Sequence, residues 1–137
     1  MISQLGHHSG KHIVFGFDPH GLPEVDAYVD SLARYGLVLS AAQGEQPHYL
    51  TSTQRVCERV RGRADAVGVL VCSTGMGVSI AANKFSGVYA ARCLTVEDAT
   101  MARQINNCNV LCLALRSGRD VNAEIITAFM TTAYEGR

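Results

Sequence analysis

Val67-Gly68-Val69-Leu70-Val71-Cys72-Ser73-Thr74-Gly75-Met76-Gly77-Val78-Ser79-Ile80-Ala81-Ala82-Asn83-Lys84 is the stretch that decides how the chain folds. Its first part is a β-branched, apolar run without charge, the pattern of a strand buried on both faces. The run breaks at a polar, glycine-containing turn and resumes at Val78 as small apolar residues, with Lys84 near the expected helix end. Strand, glycine turn and helix aim several backbone N–H groups at one point, and a helix N-terminus adds partial positive charge there. Cys72 stands just before the turn with a side chain able to act as base or nucleophile. A proton-transfer group beside an oxyanion cradle is what carbanion and enolate chemistry requires. The same letters have a second local reading. Cysteines that end buried strands are mostly inert core residues, and Gly75 and Gly77 would serve any tight turn. The turn lacks the Gly-Lys-Ser/Thr ending of a nucleotide phosphate loop and matches the dinucleotide fingerprint poorly. Read alone, it is an anion-binding turn with the role of Cys72 open.

The rest of the chain bounds the choice. Its 137 residues form one domain with a proper core, a loose polar lead-in over residues 1–11 and a single folded unit over residues 12–137. Hydrophobic residues make up 47% and charged residues 18%, which separates the chain from disordered sequences. The formal net charge is +0 and the pI about 6.9, which argues against nucleic acid or an anionic membrane as partner. No apolar run approaches the roughly 20 residues that span a bilayer. Five cysteines (Cys57, Cys72, Cys93, Cys108 and Cys112) make an odd set without a Cys-x-x-Cys pair or a His cluster, so reduced thiols in the cytoplasm are expected and a metal site is not. Cys93, Cys108 and Cys112 read as packing groups. His7 and His8 read as surface residues, and His48 as a solvent-facing turn residue.

Taken in order, His12-Ile13-Val14-Phe15-Gly16-Phe17 is a first strand, stopped by Asp18-Pro19-His20-Gly21. Pro23 suits the first turn of a helix with Val25, Val29 and Leu32 on its inner face and Gly36 as its stop. Leu37-Val38-Leu39-Ser40 is a second strand, and a polar loop leads to a helix over about residues 51–63. That helix carries Arg55, Glu58, Arg59 and Arg63 on a solvated face. Val88-Tyr89-Ala90-Ala91 is a fourth strand. Thr95 caps a helix that turns Ala99, Ala102 and Ile105 inward. Asn109-Val110-Leu111-Cys112-Leu113 is a fifth strand, and a last helix over residues 121–132 presents Ile125, Ile126 and Phe129. Five short apolar strands alternating with helices predict an α/β fold, a Rossmann-like three-layer sandwich around a five-stranded parallel sheet. Ligands in such sheets sit beyond the carboxyl ends of the strands. Asp18, Cys72, the residues after Ala91 and Arg116 all stand there, which tips Cys72 towards function.

The run from Val71 to Lys84, with Gly87, Asn106, Asn109-Val110-Leu111, Phe15-Gly16, Asp18, Gly21, Pro47-His48-Tyr49, Arg116 and the final Tyr134-Glu135-Gly136-Arg137, resembles type B ribose-5-phosphate isomerases and the galactose-6-phosphate isomerase subunits. The likeness spans nearly the whole chain. It implies interconversion of aldose and ketose phosphates through a cis-enediolate, without metal or organic cofactor. Carried over by position, Cys72 is the base that moves a proton between C1 and C2. A free thiol is a poor base at neutral pH and needs the help a helix N-terminus offers. The amides of Gly75, Met76, Gly77, Val78 and Ser79 would hold the enediolate oxygen, and Thr74 would orient substrate oxygens. Asp18 would bind sugar hydroxyls and Arg116 the phosphate. His20, Ser73, Asn106 and Arg137 complete the implied substrate-binding set. The resemblance also implies a homodimer or dimer of dimers whose site spans the subunit interface.

The departures are specific. The family's Asp-His pair after strand one reads Asp18-Pro19 here, with His20 displaced by one place. The histidine that opens the furanose ring is Ile105, and the acid two places on is Asn107. The tyrosine expected before Pro47 is Gln46, and the last residues lack one glycine and a following His and Arg. Isoleucine cannot shuttle a proton. Three possibilities follow: an isomerase for a largely acyclic sugar phosphate such as a tetrose phosphate, one subunit of a hetero-oligomer, or a sugar-phosphate-binding relative without catalysis.

Overall fold

The computed structural model describes residues 6–40 and 48–136. Five strands, β1 (His12–Phe17), β2 (Val38–Ser40), β3 (Ala66–Cys72), β4 (Ala90–Arg92) and β5 (Val110–Ala114), pair in parallel in the order β2-β1-β3-β5-β4. The connecting helices are α1 (Val25–Ala33), α2 (Tyr49–Val60), α3 (Met76–Ala82), α4 (Val96–Gln104) and α5 (Arg119–Thr131). This is the expected α/β three-layer sandwich. All seven residues of β3 are buried, as its uncharged sequence requires of a central strand.

Alternation along the strands divides the core in two. Ile13, Phe15, Val69, Val71, Leu111 and Leu113 face a layer built from α1, α4 and α5. Val14, Leu70, Cys72, Val110 and Cys112 face α2 and α3. Ile125, Ile126 and Phe129 are fully buried, as expected of the last helix.

Several boundaries move for local reasons. Helix α2 starts at Tyr49 because the His48 ring caps it, Nδ1 accepting the Leu50 N–H at 3.2 Å. His48 is exposed and acts as this cap. The Thr95 cap forms as read, its hydroxyl accepting the Asp98 N–H at 3.1 Å. Pro19–Glu24 is a 3₁₀ turn, so the first α-helix begins only at Val25. Gly36 is not a left-handed helix stop; a side chain there would run into the Lys11 carbonyl. Ile105 is not inward. It sits at the end of α4 with 36% of its surface exposed, while Ala99 and Ala102 are buried.

The loose lead-in is also corrected. Residues 6–11 are stitched to the fold: the His8 and Ser9 N–H groups both donate to Met130 O, and Gly10 N–H donates to Tyr35 O at 2.6 Å. His8 is buried against Phe129, with ring centroids 5.1 Å apart. Its Nε2 lies 2.9 Å from the Cys108 carbonyl, which can only accept, so Nε2 carries the hydrogen and Nδ1 accepts from Lys11 Nζ at 3.0 Å. Protonating Nδ1 would set a second cation against Lys11 and near Arg103. Burial first, then Arg103, push the His8 pKa down from 6.5 to about 3. The unfolded chain therefore takes up a proton near pH 6.5 that the folded chain refuses until about pH 3. The His8 contribution to stability is intact above that window and lost as pH falls through it. Urea midpoints measured from pH 7 to pH 4 should fall more steeply for the native chain than for His8→Gln, and parallel curves would refute this role for His8.

Candidate active site

The strand order reverses direction between β1 and β3, since β2 lies outside β1 on one side and β5 outside β3 on the other. Ligands bind in the crevice at such a switch point. Two expected site residues meet there. Asp18 follows β1, its N–H donating to Val71 O at 3.3 Å, and Cys72 ends β3 next door. Asp18 is largely buried. Its Oδ1 accepts the His20 N–H at 3.0 Å and its Oδ2 lies 3.3 Å from His20 Nδ1. The displaced His20 is thus held by the carboxylate, with 75% of its side chain in solvent.

After Cys72 the chain turns sharply. Gly75 has φ +74°, and a Cβ there would lie 3.2–3.4 Å from the backbone of Leu113 and Ala114. Only glycine satisfies both demands without strain. The turn brings the Gly75 N–H to 3.2 Å from Cys72 Sγ and the Met76 N–H to 3.2 Å from Thr74 Oγ1. Ser79 N–H is taken by Gly75 O at 3.3 Å. The five amides expected to form the cradle thus differ in their present partners. Gly75, Met76 and Ser79 are engaged, whereas the Gly77 and Val78 N–H groups have no protein partner among the described residues. Val78 can offer only its amide, because its side chain is core. The Tyr49 ring packs over this turn; a Cβ on Gly77 would meet it at 3.0 Å.

Two neighbouring strand ends close on the loop. Arg116 N–H donates to Ser73 O at 3.3 Å, with the arginine side chain exposed. Arg92, at the end of β4, donates from Nε to Thr74 O at 2.8 Å. The sequence reading placed the β4 end in the crevice without singling out this arginine. An isolated Arg after two alanines carries no signal until the sheet order is known.

Other expected contacts do not gather here. Asn106 lies where α4 returns to the start of β5, at the opposite end of the strands from Cys72. There it lines an open groove of about 540 Å³ with His8, Lys11, Tyr89, Asn107 and Tyr134. Cys72 does not line that groove; the residue is 6% exposed and packs with Val14, Leu70 and Val78. Within one chain the residues implied as substrate contacts are thus split between two ends. Gln46, Pro47 and Arg137 fall outside the described residues.

The asparagines of the family-like motif have structural work. Asn83 brackets the β4 edge, with Oδ1 accepting Ala90 N–H and Nδ2 donating to Ala90 O, both at 2.9 Å. Asn109 does the same for Gly87 and Tyr89. Asn107 takes a left-handed turn at φ +50° and accepts from Arg103 at 2.9 Å. All five cysteines are free and buried. Burial pushes Cys57 and Cys93 up to about 12 and Cys108 up to about 11, and Cys112 rises as well, so these four remain thiols at neutral pH.

A parallel α/β sheet with Asp18, Cys72 and a glycine turn gathered at its switch point defines the class of α/β proteins that bind small molecules beyond the carboxyl ends of their strands. The comparisons give the particular family: residues 13–137 match the family Ribose/Galactose Isomerase, and the chain belongs to it. Ribose-5-phosphate isomerase B of Escherichia coli is 35% identical over 133 residues, covering 92% of this chain and 87% of the relative. D-erythrulose-4-phosphate isomerase of Pectobacterium atrosepticum is 31% identical over 129 residues, covering 90% and 85%. The DNA damage-repair/toleration protein DRT102 of Arabidopsis thaliana is 37% identical over 126 residues, 90% of this chain, but the chain spans only 40% of that relative's length. The crystal structure of ribose-5-phosphate isomerase B from Mycoplasma genitalium with bound ribulose-5-phosphate superposes with a TM-score of 0.86 at 31% identity, covering 95% and 90% of the two chains. The chain is accordingly an aldose–ketose isomerase of the sugar-phosphate class.

Proposed function

We propose that the chain isomerises a short, open-chain sugar phosphate through a cis-enediolate, with Cys72 as the base. The observation that carries this reading is the loop itself: a sulfur that accepts an N–H at 3.2 Å, followed directly by the unpartnered Gly77 and Val78 amides. The Cys72 sulfur takes the C2 proton of the aldose and returns it to C1, while the hydroxyl proton passes from O2 to O1. The negative charge that develops on oxygen meanwhile lies against the two amides. Fixed donors of this kind typically contribute about a hundredfold or more to rate. Thr74, Asp18 and His20 orient the hydroxyls, and Arg116 takes a phosphate oxygen. No metal or organic cofactor takes part in this scheme.

Ile105 stands where the ring-opening histidine of the pentose enzymes is expected. A tetrose 4-phosphate has its O4 esterified and cannot close a furanose ring, so it needs no such group. One relative is named for erythrulose 4-phosphate and another for ribose 5-phosphate, which brackets the choice. The split of Asn106 from Cys72 supports a homodimer or dimer of dimers in which the groove edge of one copy meets the Cys72 end of another. Five free thiols fit a cytoplasmic setting. The second reading, a binding relative without turnover or a subunit that needs a different family member, is favoured by the burial of Cys72, which is 6% exposed.

The test is C2-proton exchange into heavy water by the full chain, followed by NMR on tetrose, pentose and hexose phosphates. Exchange fastest on a tetrose 4-phosphate, with Ile105→His raising the pentose rate, is expected. Phosphoester binding without exchange on any sugar would favour the binding relative, and exchange only after mixing with a second family member the subunit.

A further inference from the structure

We propose that Arg92 is a substrate-phosphate ligand of this site, an inference that rests on the isomerase reading above. Its Nε–H bonds Thr74 O at 2.8 Å. The terminal nitrogens of the same guanidinium have no carboxylate or hydrogen-bond partner among the described residues. The residue is partly buried. A guanidinium drawn out of water without a counter-charge is unfavourable unless an anion arrives.

The surroundings favour a phosphate over a protein carboxylate. β4 and β5 are neighbours, with Arg92 paired to Cys112, so Arg92 and Arg116 stand on adjacent strand ends. Both hold the same short loop, Arg92 through Thr74 O and Arg116 through Ser73 O. The Arg92 guanidinium touches the loop itself, and Arg116 is tied to the same loop by its main chain, so a doubly charged phosphate held beside the loop can draw on both side chains. A tetrose phosphate also carries its phosphate one carbon nearer the reacting C1–C2 unit than a pentose phosphate does. An arginine that touches the Thr74 backbone is placed for that shorter reach, and it couples phosphate binding to the position of the loop.

The test compares Arg92→Gln with Arg92→Lys in the full chain. Glutamine can still donate to Thr74 O but has no charge; lysine keeps the charge. Inorganic phosphate is titrated calorimetrically at fixed ionic strength, and kcat and KM are measured on tetrose 4-phosphate. Arg92→Gln should weaken phosphate binding and raise KM by about tenfold or more, with a much smaller fall in kcat, and Arg92→Lys should recover part of the loss. Native phosphate affinity in Arg92→Gln, a fall in kcat alone, or loss of oligomers with phosphate affinity intact would each overturn the assignment and leave the isomerase reading standing. A native chain that neither binds phosphate nor exchanges any sugar phosphate would overturn both.

Discussion

Cys72→Ala is expected to lower C2-proton exchange by about 10²- to 10⁴-fold, the usual contribution of a positioned base, while the chain stays folded. The substitution removes one sulfur from the sheet face that packs on α2 and α3, a loss of roughly 1 kcal/mol by comparison with other small core truncations. It also frees the Gly75 N–H, which otherwise donates to that sulfur. No other cysteine can stand in. Cys57, Cys93, Cys108 and Cys112 are held as thiols by burial, and Cys112 faces α2 from β5 with no exposed surface. Cys72→Ser separates acid–base function from shape, because a hydroxyl can accept the same N–H but ionises far less readily than a thiol. Both variants should lose exchange while keeping the urea midpoint within about 1 kcal/mol of native. Exchange that survives in Cys72→Ala would end the thiol mechanism, whatever the family relation.

Arg103→Leu should cost about 3–5 kcal/mol of folding stability, read as a fall in urea midpoint. Arg103 is fully buried and donates to four acceptors: Nε to Thr132 O at 3.2 Å, Nη1 to Asn107 Oδ1 at 2.9 Å and to Cys108 O at 2.8 Å, and Nη2 to Gly6 O at 3.1 Å. It ties the lead-in, the end of α4, the start of β5 and the end of α5 into one knot. Leucine fills part of the volume and leaves those acceptors without their donor, which is the expensive side of a buried hydrogen bond. For a domain with a total stability of about 5–15 kcal/mol, that loss is large. A midpoint within 1 kcal/mol of native would show that water replaces the guanidinium without penalty.

The legible parts of this protein share one property: their cause is local. β3 is visible because seven consecutive uncharged residues have no face to turn to water. Thr95 is visible as a cap because Asp98 lies three residues on, and the Cys72 loop because strand, glycine and helix follow each other without interruption. His8 was not legible. It stands among polar residues, and what buries it, Phe129 and the Cys108 carbonyl, lies about a hundred residues away. Arg103 looks like any charged residue near a helix end until four backbone and side-chain oxygens from separate segments surround it. Asn106 was matched by position to the substrate site. Since α4 carries the chain back to the start of β5, within one chain it lies at the opposite end of the strands from Cys72, which the sequence alone does not reveal.

From its sequence alone this chain is a parallel α/β sandwich with a thiol ahead of an amide turn, because hydrophobic period, turn chemistry and capping act over a few residues. Tertiary structure alone decided which amides stay free, that Arg92 reaches the Thr74 carbonyl, and that His8 is buried and neutral. Those outcomes depend on strand order and helix return, which bring distant residues within hydrogen-bonding distance, and no local pattern encodes them.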